Sequence, residues 1–181
     1  MTRRLAVLFA ALLSPGAGAA APAETHVERI GSVLQVRSTL EAGAPALTCY
    51  ATIADLDHLA EFVPGLRSSR VVSPPGAPIE LHQVGEARAG PFGVTLDVTL
   101  AVRLDPPRHI EFRRIAGNLA QMQGSWTVTG DDRSCRIEYR AAMEPDFWVP
   151  PLIGSMLMQR EVAAQMEGVL AEIARRGLRT P

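Results

Sequence analysis

Lysine is absent: every one of the 18 basic residues among 181 is arginine, set against 19 acidic groups for a formal net charge of -1. There is no basic surplus of the kind that marks a nucleic-acid footprint. Cysteine is scarce, with only Cys49 and Cys135, which excludes a small disulfide scaffold. Charge is thin at 20% while 47% of residues are hydrophobic, which excludes a disordered tail. No apolar run reaches the roughly 20 residues of a membrane-spanning helix. Internal repeats, low-complexity stretches and a second domain are also missing, and the length suits one domain. An all-arginine set suits bidentate carboxylate pairing, although its simplest origin is compositional.

The N-terminus reads as an export signal over residues 1–23. Arg3 and Arg4 form a positive start, residues 5–13 are continuously apolar, and small residues lead to Ala21-Pro22-Ala23 as an Ala-x-Ala cleavage site. No cysteine stands near that point to carry a lipid. Cleavage would leave residues 24–181, with 16 Arg against 19 acidic groups and a net charge of -3. The expected location is periplasmic or secreted. In an oxidising compartment Cys49 and Cys135 can pair, and two buried thiols are the alternative.

The remainder alternates between strand-length runs and breakers. Residues 33–40 place Leu34, Val36, Ser38 and Leu40 on one side, the period of a strand. After Gly43-Ala44-Pro45 come a helix over 45–54 and a short helix over 57–63, stopped by Pro64-Gly65. Strands follow over 66–73, 79–87, 92–104, 109–115, 121–129 and 134–143. The run 92–104 is the clearest, with Phe92, Val94, Leu96, Val98, Leu100, Val102 and Leu104 all apolar at period two. It predicts an amphipathic antiparallel strand with one wet face. Charges of the wet phase (Arg103, Glu111, Arg113, Arg136, Glu138, Arg140) read as weak cross-strand pairs. A long helix over 152–176 carries an expected apolar face of Leu152, Met156, Gln159, Ala163, Met166, Leu170 and Ile173, widened by Val162 and Val169. Glu161 and Glu172 are expected to point away from it. The expected fold is therefore α+β, a seven-stranded curved antiparallel sheet around a long C-terminal helix. A sheet of this kind cannot close on the helix everywhere, so a pocket between them is expected.

This order, with the run from Asp55 to Val71, Gln83-Val84-Gly85, Gly124-Ser125-Trp126 and the run from Glu144 to Gly154, resembles the START-like (SRPBCC, helix-grip) superfamily. The branch it resembles most is the polyketide cyclase/dehydrase or coenzyme Q-binding one, over about residues 28–175. The resemblance implies the fold and a hydrophobic ligand; it does not name the ligand, because such folds host carriers, cyclases and regulators alike.

No catalytic constellation emerges from the residues themselves. His26, His58, His82 and His109 are scattered, no group has metal-ligand spacing, and neither cysteine has a basic neighbour. No nucleophile elbow, P-loop or dinucleotide fingerprint is present. No catalytic residue, metal or cofactor is therefore expected. The candidate ligand-binding residues are Gln83, Phe92, Phe112, Arg114, Trp126, Tyr139, Met143, Met156 and Met166. They combine an apolar, methionine-softened lining with a few polar groups, as suits a lipid or isoprenoid with a polar head. Gln83 and Tyr139 would hydrogen-bond a carbonyl or hydroxyl, or else satisfy backbone groups. Arg114 would meet an acid, or else sit at a strand end. Phe147, Trp148 and Ile153, at the proline-bounded helix start, are the candidate portal, with transient membrane contact. The leading expectation is an exported, non-enzymatic carrier or sensor of a hydrophobic small molecule. The alternatives are a cyclase or dehydratase using Arg114 and Tyr139, and an interaction module docking through residues 147–158.

Overall fold

The structure, a computed structural model, describes residues 23–89, 92–146 and 151–178. The expected signal segment before Ala23 lies outside the described residues, as do the candidate portal residues Phe147 and Trp148 and the side chains of Phe92 and Ile153.

Eight strands, not seven, form one antiparallel sheet. They are β1 (Glu24–Ile30), β2 (Val33–Ala42), β3 (Leu66–Val71), β4 (Ile79–Ala89), β5 (Phe92–Asp105), β6 (His109–Gly117), β7 (Leu119–Gly130) and β8 (Cys135–Pro145). Their order across the sheet is β1-β2-β8-β7-β6-β5-β4-β3. Between β2 and β3 lie helix α1 (Ala46–Ile53) and a 3-10 helix (Leu56–Glu61), and the chain closes with α2 (Pro151–Gly177). The unexpected strand is β1. Val27 is the one large apolar residue on its half-buried phase, so it has no hydrophobic period to read. Pairing along β2 from Glu24↔Thr39 to Ile30↔Val33 makes it a strand. Gly31, at φ 63°, takes the left-handed position of the two-residue hairpin turn.

The inner face follows the alternation. Leu34, Val36, Ser38 and Leu40 of β2 and Cys135, Ile137, Tyr139, Ala141 and Met143 of β8 are all buried. Ile110 and Phe112 of β6 and Val98, Leu100 and Val102 of β5 continue the same surface. On the wet face Arg136 pairs with Glu41 at 2.7 Å, and Arg140 with Glu138 at 3.1 Å.

Helix α2 lies against β1, β2 and α1. Its buried residues are Val162, Met166, Val169, Leu170, Glu172 and Ile173. Val162, Met166, Val169, Leu170 and Ile173 belong to the expected face, which fails at three places: Met156 is 70% exposed and Gln159 is exposed, while Glu172 is buried. The start of this helix is apolar on several sides, so hydrophobic period alone does not select which side packs.

Three devices fix the short helices. Cys49 on α1 is disulfide-bonded to Cys135 at the start of β8, across 86 residues of sequence. The Ala46 amide donates to the Asp131 carbonyl in the β7–β8 turn at 2.8 Å. Arg176 of α2 reaches Asp55 at 2.8 Å and sits 5.6 Å from the centre of the Phe62 ring. Gly168 of α2 permits this approach: a Cβ there would stand 2.3 Å from the Phe62 carbonyl oxygen.

Candidate ligand cavity

Between the inner face of the sheet and the N-terminal half of α2 is a cavity of about 190 Å³. Leu81, Val98, Leu100, Val102, Ile110, Phe112, Met122, Trp126, Tyr139 and Met143 form its sheet wall. Met158, Val162, Gln165, Met166 and Val169 come from α2, and Ile53, Leu56, Leu59 and Val63 come from the short helices. Its volume exceeds the roughly 150 Å³ of an apolar cavity able to hold benzene. As it stands it suits a ring-sized body or a short branched chain.

Register builds the aromatic floor. Trp126 of β7 lies directly opposite Tyr139 of β8, and Phe112 of β6 lies opposite Gly124 of β7. The Trp126 and Tyr139 ring centres are 4.4 Å apart, and those of Phe112 and Tyr139 are 6.2 Å apart and near parallel. Gly124 allows this arrangement, because a Cβ there would stand 2.5 Å from the Phe112 ring and 2.3 Å from the Arg140 carbonyl oxygen. The sequence motif Gly124-Ser125-Trp126 thus has a local packing reason.

Five residues with polar groups interrupt the lining: Gln83, Tyr139, Gln165, Glu86 and Glu161. The Gln83 amide nitrogen donates to Ser69 Oγ at 3.1 Å, and that hydroxyl donates to the Leu56 carbonyl at 2.6 Å. One end of Gln83 is thereby tied to the 3-10 helix. Tyr139 is only 8% exposed, and no hydrogen bond of its hydroxyl is recorded among the described residues; the buried tyrosine hydroxyl without a partner is that of Tyr50 on α1. Burial pushes the Tyr139 hydroxyl well above the usual tyrosine range, so it stays protonated and can donate. Glu86 pairs with Arg67.

Of the sequence candidates, Gln83, Phe112, Trp126, Tyr139, Met143 and Met166 line this cavity. Two candidates are corrected. Met156 points to solvent, and Met158, one of the residues expected off the main stripe, takes the place on the wall. Arg114 does not line the cavity. A bulge where β6 meets β5 leaves Ile115 without a partner, and Arg114 Nη2 is bonded to the Gly117 carbonyl at 2.8 Å. The Arg114 Nε is buried without a partner. Glu161 and Gln165 were not found from sequence. Their signal is the spacing Met158, Glu161, Val162, Gln165, Met166, Val169, which is a single helical face.

Three of the four histidines are bound up in local pairs, and none lines the cavity. His58 contacts Asp55 at 2.6 Å, His82 contacts Asp97 at 2.9 Å, and His109 contacts Thr127 at 3.1 Å. The Asp55 hydrogen bond raises the His58 pKa. Burial pushes the Asp55 carboxyl upward, but hydrogen bonds from His58 and Arg176 outweigh it and hold the pKa below the usual range. No helix among the described residues is long and apolar enough to cross a membrane.

A curved antiparallel sheet gripping a long C-terminal helix across an apolar cavity is the helix-grip, START-like fold. The chain belongs to the family described as polyketide cyclase / dehydrase and lipid transport, whose sequence model matches residues 42–169. Three similar solved structures span both halves of that description. An aromatase/cyclase from a Streptomyces species is 19% identical, with 80% of this chain and 95% of that one covered and a TM-score of 0.67. A START superfamily protein from Mycobacterium smegmatis is 16% identical, with coverage of 78% and 97% and a TM-score of 0.66. A STAR-related lipid transfer protein from Xanthomonas axonopodis is 11% identical, with coverage of 86% and 98% and a TM-score of 0.64. At these identities the likeness is one of fold. No curated protein matches the sequence. Fold and family together point to hydrophobic-ligand binding, lipid transfer or polyketide cyclisation.

Proposed function

We propose that this chain is an exported carrier or sensor that holds a hydrophobic small molecule between its sheet and α2. The observation that carries the reading is the cavity itself, walled by aliphatic, aromatic and methionine side chains with a few polar groups at defined places. Burial of a ligand at about 0.8 kcal/mol per methylene supplies affinity without reactive groups. The cyclase alternative requires a proton donor and acceptor within reach of one substrate. Arg114, the intended partner of Tyr139 in that reading, is turned toward Gly117 and does not line the cavity, so the pair named for the chemistry is not assembled there. Export is supported by the pattern of residues 1–23 and agrees with the Cys49–Cys135 bond, since disulfides persist in oxidising compartments.

Native mass spectrometry of gently purified protein, followed by solvent extraction, tests the binding reading. A retained apolar compound released on denaturation is expected. A protein that is empty and takes up neither quinones nor lipids overturns it. N-terminal sequencing of the exported form is expected to begin at Glu24, and an intact Met1 in the cytoplasmic fraction overturns the export reading.

A further inference from the structure

We propose that the cavity selects ligands carrying a hydrogen-bond donor, a hydroxyl or an amine, and discriminates against the carboxylate of the same skeleton. The proposal rests on the binding reading above and names the ligand class of that cavity.

Glu161 and Gln165 stand one turn apart on α2, on the face that lines the cavity. Glu161 forms no hydrogen bond or ion pair among the described residues. Its Oε2 lies 3.7 Å from where a Cβ on Gly65 would sit, which places the carboxylate at the rim beside the short helices. The contrast with Glu172 on the same helix is informative, since that carboxylate is held by both Arg175 and Arg176 at 2.6 Å. On the sheet wall the Gln83 amide nitrogen gives one hydrogen to Ser69, and no hydrogen bond to its oxygen is recorded among the described residues. Among the described lining residues there is no arginine or histidine, and the chain has no lysine.

An entering polar group therefore meets a carboxylate and two side-chain amides, with no cation among the described lining residues to receive an acid. A ligand hydroxyl or ammonium gains a charge-assisted hydrogen bond at Glu161. A ligand carboxylate would be brought, partly desolvated, beside a like charge with no cation among the described lining residues. Tyr139, 8% exposed at the aromatic floor, offers its hydroxyl as a donor to a ligand oxygen at the other end.

Isothermal titration of the full chain with 1-naphthol, 1-naphthylmethylamine and 1-naphthoate at neutral pH tests this. The alcohol and amine are expected to bind at least about tenfold more tightly than the carboxylate. Glu161→Gln is expected to weaken the amine and strengthen the carboxylate, collapsing most of that gap. Gln165→Leu removes an acceptor without changing charge, and is expected to weaken the alcohol while leaving the carboxylate where it was. Carboxylate binding equal to or tighter than the others overturns the selectivity and leaves the cavity reading standing. A gap unchanged in Glu161→Gln overturns the role of that residue. If none of the three binds to protein with an intact thermal transition, the cavity reading falls and the selectivity with it.

Discussion

Tyr50 and Glu172 are two buried polar residues in opposite condition. Tyr50, 5% exposed on α1, carries a buried hydroxyl with no hydrogen-bond partner among the described residues, and an unmade hydrogen bond costs on the order of 1–3 kcal/mol. Tyr50→Phe is therefore expected to leave the protein as stable as before, or more stable by up to about 1 kcal/mol. Chemical denaturation checks this, and a loss beyond that size would mean that the hydroxyl is satisfied. Glu172 is 7% exposed and saturated with hydrogen bonds. Its bonds to Arg175, then Arg176, outweigh desolvation and lower its pKa from 4.5 to about 2. A carboxyl with a depressed folded pKa stabilises above its unfolded pKa and loses that contribution as pH falls through the folded one. The window here is from about pH 4.5 down to about 2. With Arg175 half-exposed, the contribution is taken as about 1–2 kcal/mol. Thermal melts of Glu172→Gln and the parent chain are expected to differ fully above pH 5 and converge near pH 2. Among the candidate site residues, those on strands were legible because a strand has only two faces. Arg114 keeps its inner-phase register opposite Leu100, but its guanidinium bends along the strand end to the Gly117 carbonyl, a choice that hydrophobic alternation does not record.

Elements differ in how strongly their own residues specify them. β5 announces itself through seven alternating apolar positions. β1 does not, yet Gly31-Ser32 ahead of the readable β2 is a hairpin turn signal that would have extended the sheet by one strand. Helix α2 is legible as a helix, but its orientation is not, because Ile153, Met156, Leu157 and Met158 offer apolar surface in several directions. The orientation is set in part by Gly168, which seats the helix on the Phe62–Pro64 backbone. Alanine is preferred over glycine within a helix by about 1 kcal/mol. At this position the steric term is larger, since a Cβ would meet Phe62 O at 2.3 Å and Pro64 Cδ at 2.5 Å. Overpacking of that kind costs about 1–3 kcal/mol. Gly168→Ala is expected to lower the urea midpoint rather than raise it; a higher midpoint would show that α2 can shift outward freely.

At the scale of the whole molecule, the disulfide joins two regions that the sheet alone would leave independent. It ties α1 to β8, while Ala46 and Arg176 tie the flanks of the same corner. A bond closing a loop this long typically contributes about 2–4 kcal/mol, and removing a native one costs up to about 5. Paired Cys49→Ala and Cys135→Ala substitutions are expected to lower the thermal midpoint by an amount in that range. Reduction of the parent chain is expected to give the same shift, and a change under about 0.5 kcal/mol in both would overturn the structural role. The corner so fixed also supplies Ile53, Leu56 and Leu59 to the cavity wall, so ligand affinity is expected to fall with the bond.

Composition, alternation and breakers alone determine that this chain makes a one-sided antiparallel sheet with a long helix laid across it. Those properties are local: a strand's face is decided by residues two apart, and a turn by the glycines and prolines within it. Where the two faces meet is not local. That Met158, Glu161 and Gln165 turn inward while Met156 turns out, and that Arg114 closes on Gly117, both depend on how far β8, α2 and the short helices approach one another. Those distances are set by side chains far apart in sequence, by Gly124 beneath Phe112, Gly168 against Phe62 and Cys49 joined to Cys135. The existence of a cavity was written in the alternation; its polar rim, and with it the chemistry of what it can hold, was decided only by packing.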